Sequence, residues 1–376
     1  MSAEDQGLWL GLLKWSLAHS DGTAPSPATA MSDEDKSFLE RVLREHTRNE
    51  PERMKEIILE LVTFVDAATA SAAASTPNEE HIENLLDELR DITEQIDMAQ
   101  VFCKFGGLQC ILGILENGGI GIECRSMAAS VLATLAQNNM VVQDAFYNQG
   151  VVQRLSQLAL ASLGSETSKT FASKVMYSLS CTIRNHAAAE ELFSLTYGNS
   201  FFSAALPQSP PSVLAALANL TPPNTYSTAT LACMRRAVHL ANALVASDSR
   251  SAPRLRHILP ALVPAIFQCI CLDDVDLREG TSRLLLTMLA TYAGYTALTA
   301  APHKASLLAA IERRKTITLA DDDQEVHEKE IASQILVALL GSAPDERAST
   351  LQERRAAEEG PDSSEGPPLL LGSGPC

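Results

Sequence analysis

An apolar helical pattern returns along this chain at a nearly constant interval, and that recurrence limits the fold more than any other feature. Related helix endings occur at Glu88-Leu89-Arg90-Asp91-Ile92, Ala133-Thr134-Leu135-Ala136, Ser178-Leu179-Ser180-Cys181-Thr182, Leu240-Ala241-Asn242-Ala243-Leu244 and Leu285-Leu286-Thr287-Met288-Leu289. With Asp91, Thr134, Cys181, Asn242 and Thr287 as equivalent points, the spacings are 43, 47, 61 and 45 residues. The long interval holds Pro207, Pro210, Pro211, Pro222 and Pro223. Helix interiors do not absorb such a run, because proline lacks the N–H and its ring clashes with the preceding turn. A unit of about 40–47 residues cannot bury its apolar face alone and must stack on its neighbours.

Two further segments share one grammar. In Phe105-Gly106-Gly107-Leu108-Gln109-Cys110-Ile111-Leu112 and in Asn148-Gln149-Gly150-Val151-Val152-Gln153-Arg154-Leu155, a glycine ends a short first helix and an amphipathic second helix follows at once. Glycine suits the bend because it tolerates positive φ. The pattern predicts an all-α, armadillo-like, right-handed superhelical repeat array over residues 79–343. Around it, residues 1–30 read as a flexible N-terminal segment with an apolar island, and 31–66 as a helical pair beginning at the capping run Ser32-Asp33-Glu34-Asp35. Residues 67–78 form an Ala/Ser linker, 207–224 a Pro-rich insertion and 344–376 a mostly disordered tail.

Composition agrees. Of 376 residues, 46% are hydrophobic and 20% charged, enough apolar material for a large core; Leu and Ala dominate while aromatics reach only 5%, which favours helix over strand. A net charge of −17 repels nucleic-acid phosphate and anionic membranes. No run of about 18 apolar residues could span a bilayer, and Glu4, Asp5 and Lys14 spoil a signal peptide around Trp9. The expected location is the cytoplasm, with nuclear access. Cys103, Cys110, Cys124, Cys181, Cys233, Cys269, Cys271 and Cys376 are scattered, and read as small core hydrophobes in a reducing compartment.

Catalytic chemistry is not expected. The chain has no phosphate-binding G-x-x-x-x-G-K-[ST] loop, no G-x-S-x-G elbow and no H-E-x-x-H pair. Gly113, Gly118, Gly119 and Gly121 follow a helix and read as an inter-helix loop. His81, His186, His239 and His327 lack a second ligand one helical turn away, so neither metal nor cofactor is expected; His186 reads as a repeat-end cap or a surface residue and His239 as a packed residue. Asp321-Asp322-Asp323 reads as a solvated acidic loop before a helix. What remains is a surface. In an armadillo stack the third helix of every unit lines a concave face, which here would carry Asp91, Gln95, Thr134, Asn138, Arg184, Asn185, Asn242 and Thr287. A groove of tryptophans beside asparagines, suited to basic peptides, is not available, since Trp9 and Trp15 precede the repeats.

Three stretches carry a more specific likeness. Leu12-Leu13-Lys14-Trp15-Ser16-Leu17-Ala18-His19-Ser20-Asp21 is similar to an opening L-L-x-W-S-I-x-x-S segment, and Met31-Ser32-Asp33-Glu34-Asp35-Lys36-Ser37-Phe38-Leu39 to an M-S-x-E-x-R-x-W/F-L helix start. Leu85-Leu86-Asp87-Glu88-Leu89-Arg90-Asp91-Ile92-Thr93-Glu94-Gln95-Ile96-Asp97-Met98-Ala99, with Phe102-Cys103 and Gly107, resembles an L-L-x-x-L-x-D-L-x-E-x-x-D-x-A-x-x-F lead into the repeats. All three resemble the armadillo-type nucleotide exchange factors of heat shock protein 70 chaperones, the Fes-one and heat-shock-70-binding-protein family. Weaker echoes are Ala136-Gln137-Asn138-Asn139 and the stretch from Tyr177 to Asn185.

The resemblance implies a monomeric co-chaperone whose concave face grips the ATPase domain of heat shock protein 70, with the substrate-binding domain as a second contact, and promotes ADP release. It also implies that an N-terminal segment, here Trp9, Leu12, Leu13, Trp15 and Leu17, imitates a chaperone client and assists client release; a helix docked on residues 31–66 is the other reading of those five. The rival for the whole chain is a passive armadillo scaffold or adaptor.

Overall fold

A computed structural model describes residues 33, 34, 36–38, 49–70, 79–208, 226–247, 252–300, 303–316 and 322–344, and every element among them is helical. Trp9, Leu12, Leu13, Trp15 and Leu17, most of the Pro-rich insertion and the tail from residue 345 lie outside the described residues.

Helix α1 (Glu50–Ala70) has Pro51 in its first turn, where a missing N–H breaks no intrahelical bond, and it runs on into the sequence expected as linker. Helix α2 (Glu79–Thr93) follows. Then come two units of three helices: α3 (Ile96–Lys104), α4 (Gly107–Glu116), α5 (Ile122–Ala136), and α6 (Met140–Asn148), α7 (Val151–Leu163), α8 (Lys169–Ile183). In the next unit α9 (Ala187–Phe193) passes through a π turn at Ser194–Gly198 into α10 (Asn199–Ala205), and α11 (Thr228–Ala246) completes it beyond the insertion. A single long α12 (Ala252–Cys269), with Pro260 and Pro264 inside it, stands where two shorter helices stood before, and α13 (Val275–Leu289) follows. The last unit is α14 (Tyr292–Thr299), α15 (His303–Arg314) and α16 (Asp322–Leu340).

Each unit repeats the same local solutions. Gly106 and Gly150 stand at φ 77° and 72°, immediately before α4 and α7, the conformation expected of them. Between one unit and the next the chain turns left-handed again, now at Asn138 (φ 56°) and Asn185 (φ 64°). Asparagine is one of the few side-chain-bearing residues that enters this region readily. The following residue then caps the new helix. Asn139 accepts from the Val142 N–H, and His186 Nδ1 from the Ala189 N–H at 3.0 Å. His186 Nε2 therefore carries the proton and donates to Asp144 Oδ1 at 3.0 Å. Ser227, Asp274 and Thr291 cap α11, α13 and α14 in the same way.

The helices α2, α5, α8, α11, α13 and α16 pack each on the next, making one continuous row. One apolar core runs beneath it, from Met54 and Leu61 through Phe146, Phe193 and Phe267 to Ile335. The arrangement is armadillo-like. Cys110, Cys124, Cys181, Cys233 and Cys269 are buried free thiols, as a core role requires, and burial raises Cys110 and Cys124 to about 12. Charged groups also enter the core. Glu190 and Arg254, each 1% exposed, pair at 2.8 Å between α9 and α12. Glu328 of α16 takes Arg278 of α13 at 2.7 Å and Arg314 of α15 at 3.0 Å.

Candidate interaction groove

On the row of third helices a groove of about 870 Å³ opens along α8, α11 and α13. The helix α11 is built for it. Its buried face carries Leu231, Met234, Val238, Leu240 and Leu244, while Arg235, Arg236, His239, Asn242, Ala243 and Ala246 recur on the groove side at intervals of three and four residues. Ser173 and Arg184 come from α8 and its end; Asp276, Glu279, Arg283 and Thr287 come from α13.

Of the eight expected face residues, the groove gathers Arg184, Asn242 and Thr287. Arg184 is held by its backbone: the buried Gln143 on α6 donates to the carbonyls of Cys181 (2.8 Å) and Arg184 (3.0 Å). Asn242 donates to the Val238 carbonyl (3.2 Å) and across to the Gly280 carbonyl (2.8 Å), so it ties α11 to α13. Thr287 bonds back to the Arg283 carbonyl at 2.9 Å. The other five lie outside the groove lining. Asp91 is exposed beside Arg90, Gln95 donates to Glu50 at 2.8 Å, and Thr134 is half-buried on α5. Asn138 and Asn185 occupy the left-handed turns, which supplies a backbone reason for their recurrence apart from any ligand.

The sequence reading did not single out Arg235, Arg236, His239 or Arg283 for this surface. His239, expected to be packed, is exposed on the groove wall instead. The available signal was the polar stripe it shares with Arg235, Arg236 and Asn242 on an otherwise Ala- and Leu-rich helix.

The groove charges differ in their partners. Arg235 binds Asp274 through two N–H groups (3.0 and 2.5 Å) and lies 3.6 Å from Asp276. That bonding raises Arg235 and lowers Asp274 from their ordinary values. Arg283 pairs with Glu279 at 2.5 Å. Arg236 instead lies over the Tyr177 ring, 4.3 Å from its centre. Arg184 Nη1 is 3.2 Å from His239 Nε2, so the imidazole nitrogen accepts. Partial loss of water beside the groove wall first, then the charges of Arg184 and Arg236, hold His239 below its usual range, which favours that neutral form. Nothing in the groove forms a nucleophile–base pair.

Residues 10–101 match the family described as Nucleotide exchange factor Fes1, and residues 98–209 match the SIL1/FES1/HPBP1 C-terminal domain. Hsp70-binding protein 1 of Mus musculus is 28% identical over 182 residues, 47% of this chain and 49% of that protein. The proteins of the same name from Rattus norvegicus and Homo sapiens are each 26% identical over 181 residues, again 47% and 49%. The chain thus spans about half the length of the curated relatives it matches. The crystal structure of an engineered protein aligns with a TM-score of 0.48 at 14% identity, over 74% of this chain and 97% of that one. The α11 and α13 walls of the groove lie beyond the residues that the two families match.

Proposed function

Because this chain belongs to the SIL1/FES1/HPBP1 family of nucleotide exchange factors, we propose that it is a co-chaperone that binds the ATPase domain of heat shock protein 70 and speeds ADP release. The match of both family segments over residues 10–209 carries this reading. The row of third helices is the proposed contact surface, since it presents a long groove with no catalytic constellation.

The mechanism is differential binding. A rigid repeat array that fits the open state of the chaperone's nucleotide cleft better than the closed one shifts that equilibrium, and by linkage ADP binds the complex more weakly. A preference of about 3 kcal/mol corresponds to a little over a hundredfold weakening of ADP binding. In this reading Trp9, Leu12, Leu13, Trp15 and Leu17 act separately, as a client-like segment that keeps released clients from rebinding.

The test is release of labelled ADP from purified chaperone at saturating protein, beside a pull-down that loses the chaperone when ATP is added. An unchanged off-rate with ATP-insensitive binding would leave a passive scaffold. Arg184→Glu is the cleaner surface variant, because Arg184 sits at φ −64°, whereas replacing Asn138 at φ 56° also strains the backbone. Deleting residues 1–22 should spare ADP release and impair client release; equal loss of both refutes a separate role.

A further inference from the structure

A second groove, of about 430 Å³, lies between α12 and α14, helices outside the row of third helices. Its lining is mostly apolar: Leu259, Val263 and Pro264 of α12 with Tyr292, Ala293 and Ala297 of α14. Two prolines, Pro260 and Pro264, stand one turn apart on the groove side of α12. Neither has an N–H, so the carbonyls of Arg256 and Pro260 lose the donor four residues on. Carbonyls freed in this way are acceptors for the N–H groups of a ligand. His303, also in the lining, has an Nδ1 with no hydrogen-bond partner. Arg256 is exposed at one end and has no carboxylate partner among the described residues. An apolar slot with spare carbonyls, one cation and no anion suits an apolar stretch of chain that bears N–H groups and is flanked by carboxylates.

The chain carries such a stretch itself. Residues 356–376 hold Glu358, Glu359, Asp362 and Glu365 with no Lys or Arg, followed by Pro367-Pro368-Leu369-Leu370-Leu371. The tail also leaves the helices close to the groove, because Tyr295 Oη on α14 donates to the Gly341 carbonyl at 2.9 Å, just past α16. Leu369 follows Gly341 by about 28 residues, a length that spans roughly 30 Å as a linker, enough to round the eight-residue α14. Residues 1–32 lead instead into α1, at the other end of the stack. We propose that the groove between α12 and α14 is the docking site for this chain's own segment Asp362–Leu371. Asp362 and Glu365 meet Arg256, Pro367 and Pro368 lie along the Tyr292 ring, and the N–H groups of Leu369–Leu371 reach the freed carbonyls. The two prolines hold the segment extended, which lowers the ordering cost of docking. The docked tail straps α12 to α14 near the end of the array, where fewer neighbouring units supply support. This inference is independent of the chaperone reading.

The experiment uses the full chain with no chaperone present. Tethering gives an effective concentration of about 1 mM, so a segment that binds in trans at about 0.1 mM fills its own groove about nine-tenths of the time. Leu369→Ser, Leu370→Ser and Leu371→Ser together should empty the groove and speed hydrogen exchange in α12 and α14 about tenfold, with α2, α5 and α8 unchanged. Arg256→Glu, at an exposed position without an ion pair, should speed it about threefold. Circular dichroism confirms that the variants fold. A photoreactive benzoylphenylalanine in place of Leu370 should cross-link to residues 252–300 of the same chain, at a yield independent of protein concentration. Unchanged exchange in the triple serine variant, or cross-links that are absent or fall elsewhere, overturn the proposal. Cross-linked dimers through the same groove, growing with concentration, also overturn it, because a second copy then supplies the segment.

Discussion

Replacing Arg254 with methionine should be among the most damaging single changes available in the repeats. The guanidinium is 1% exposed and donates to Glu190 Oε2 at 2.8 Å and to the Leu244 carbonyl at 2.8 Å. Glu190 in turn accepts from Ser247 Oγ at 2.6 Å and from the Asn185 N–H at 3.0 Å. One carboxylate thus joins the left-handed turn after α8, helix α9, the end of α11 and helix α12. Arg254→Met takes the guanidinium away from a buried carboxylate that keeps the Ser247 and Asn185 donors, so the expected loss is toward the low end of the about 3–5 kcal/mol typical of a broken buried pair. Glu190→Gln removes the carboxylate charge from beside the buried guanidinium at a similar cost. The double variant removes both charges and keeps an acceptor on residue 190, so it should lie within about 1 kcal/mol of wild type, since buried pairs often break even against neutral replacements. The coupling energy should therefore exceed about 2 kcal/mol. Urea unfolding followed by far-ultraviolet circular dichroism measures it, with hydrogen exchange in α9 and α12 locating the loss. The reasoning fails if Arg254→Met costs under about 1 kcal/mol, or if the two single changes simply add.

Gly150→Ala should cost about 1–2 kcal/mol at its positive φ, whereas Gly164→Ala at φ −70° should be near neutral by thermal melting. Asn185→Gly should be tolerated and Asn185→Val should not, since β-branched residues resist φ 64° most strongly; denaturation midpoints check this. Glu328→Gln leaves Arg278 and Arg314 near one another without their shared carboxylate, and should loosen α16 first, seen as faster hydrogen exchange there. Protonation of His239 is disfavoured by partial desolvation, Arg184 and Arg236, with Arg235, Arg283, Asp276 and Glu279 as the other groove charges. Its folded value lies below its unfolded value of about 6.5, so the folded state binds fewer protons and stability falls as pH drops through 6.5. His239→Gln should blunt that fall in melts between pH 7.5 and 5.5; an identical slope would refute it.

The helical class and the bends at Gly106 and Gly150 were legible in the sequence, because each depends on residues within about one turn of one another, whereas the sequence left His186 as either a cap or a surface residue. The groove was legible only in part. The recurrence of Asn138 and Asn185 in the sequence reads as a polar face, and the left-handed turns account for that recurrence by backbone conformation. His239 reads as packed from the sequence, because one turn of helix does not reveal which side a wide polar stripe will face until the neighbouring helices are packed.

Arg235 and Arg236 mark the boundary between the two kinds of knowledge. They are adjacent and identical in type, yet the first is neutralised by Asp274, 39 positions away, and the second lies on Tyr177 of a different helix. Local periodicity alone determined that a row of helices would form and how its units would turn. Only the stacking of α8, α11 and α13 decided which charges are cancelled and which stay available, because an ion pair is set by separation in space and helices brought together by burial have no fixed relation in chain distance.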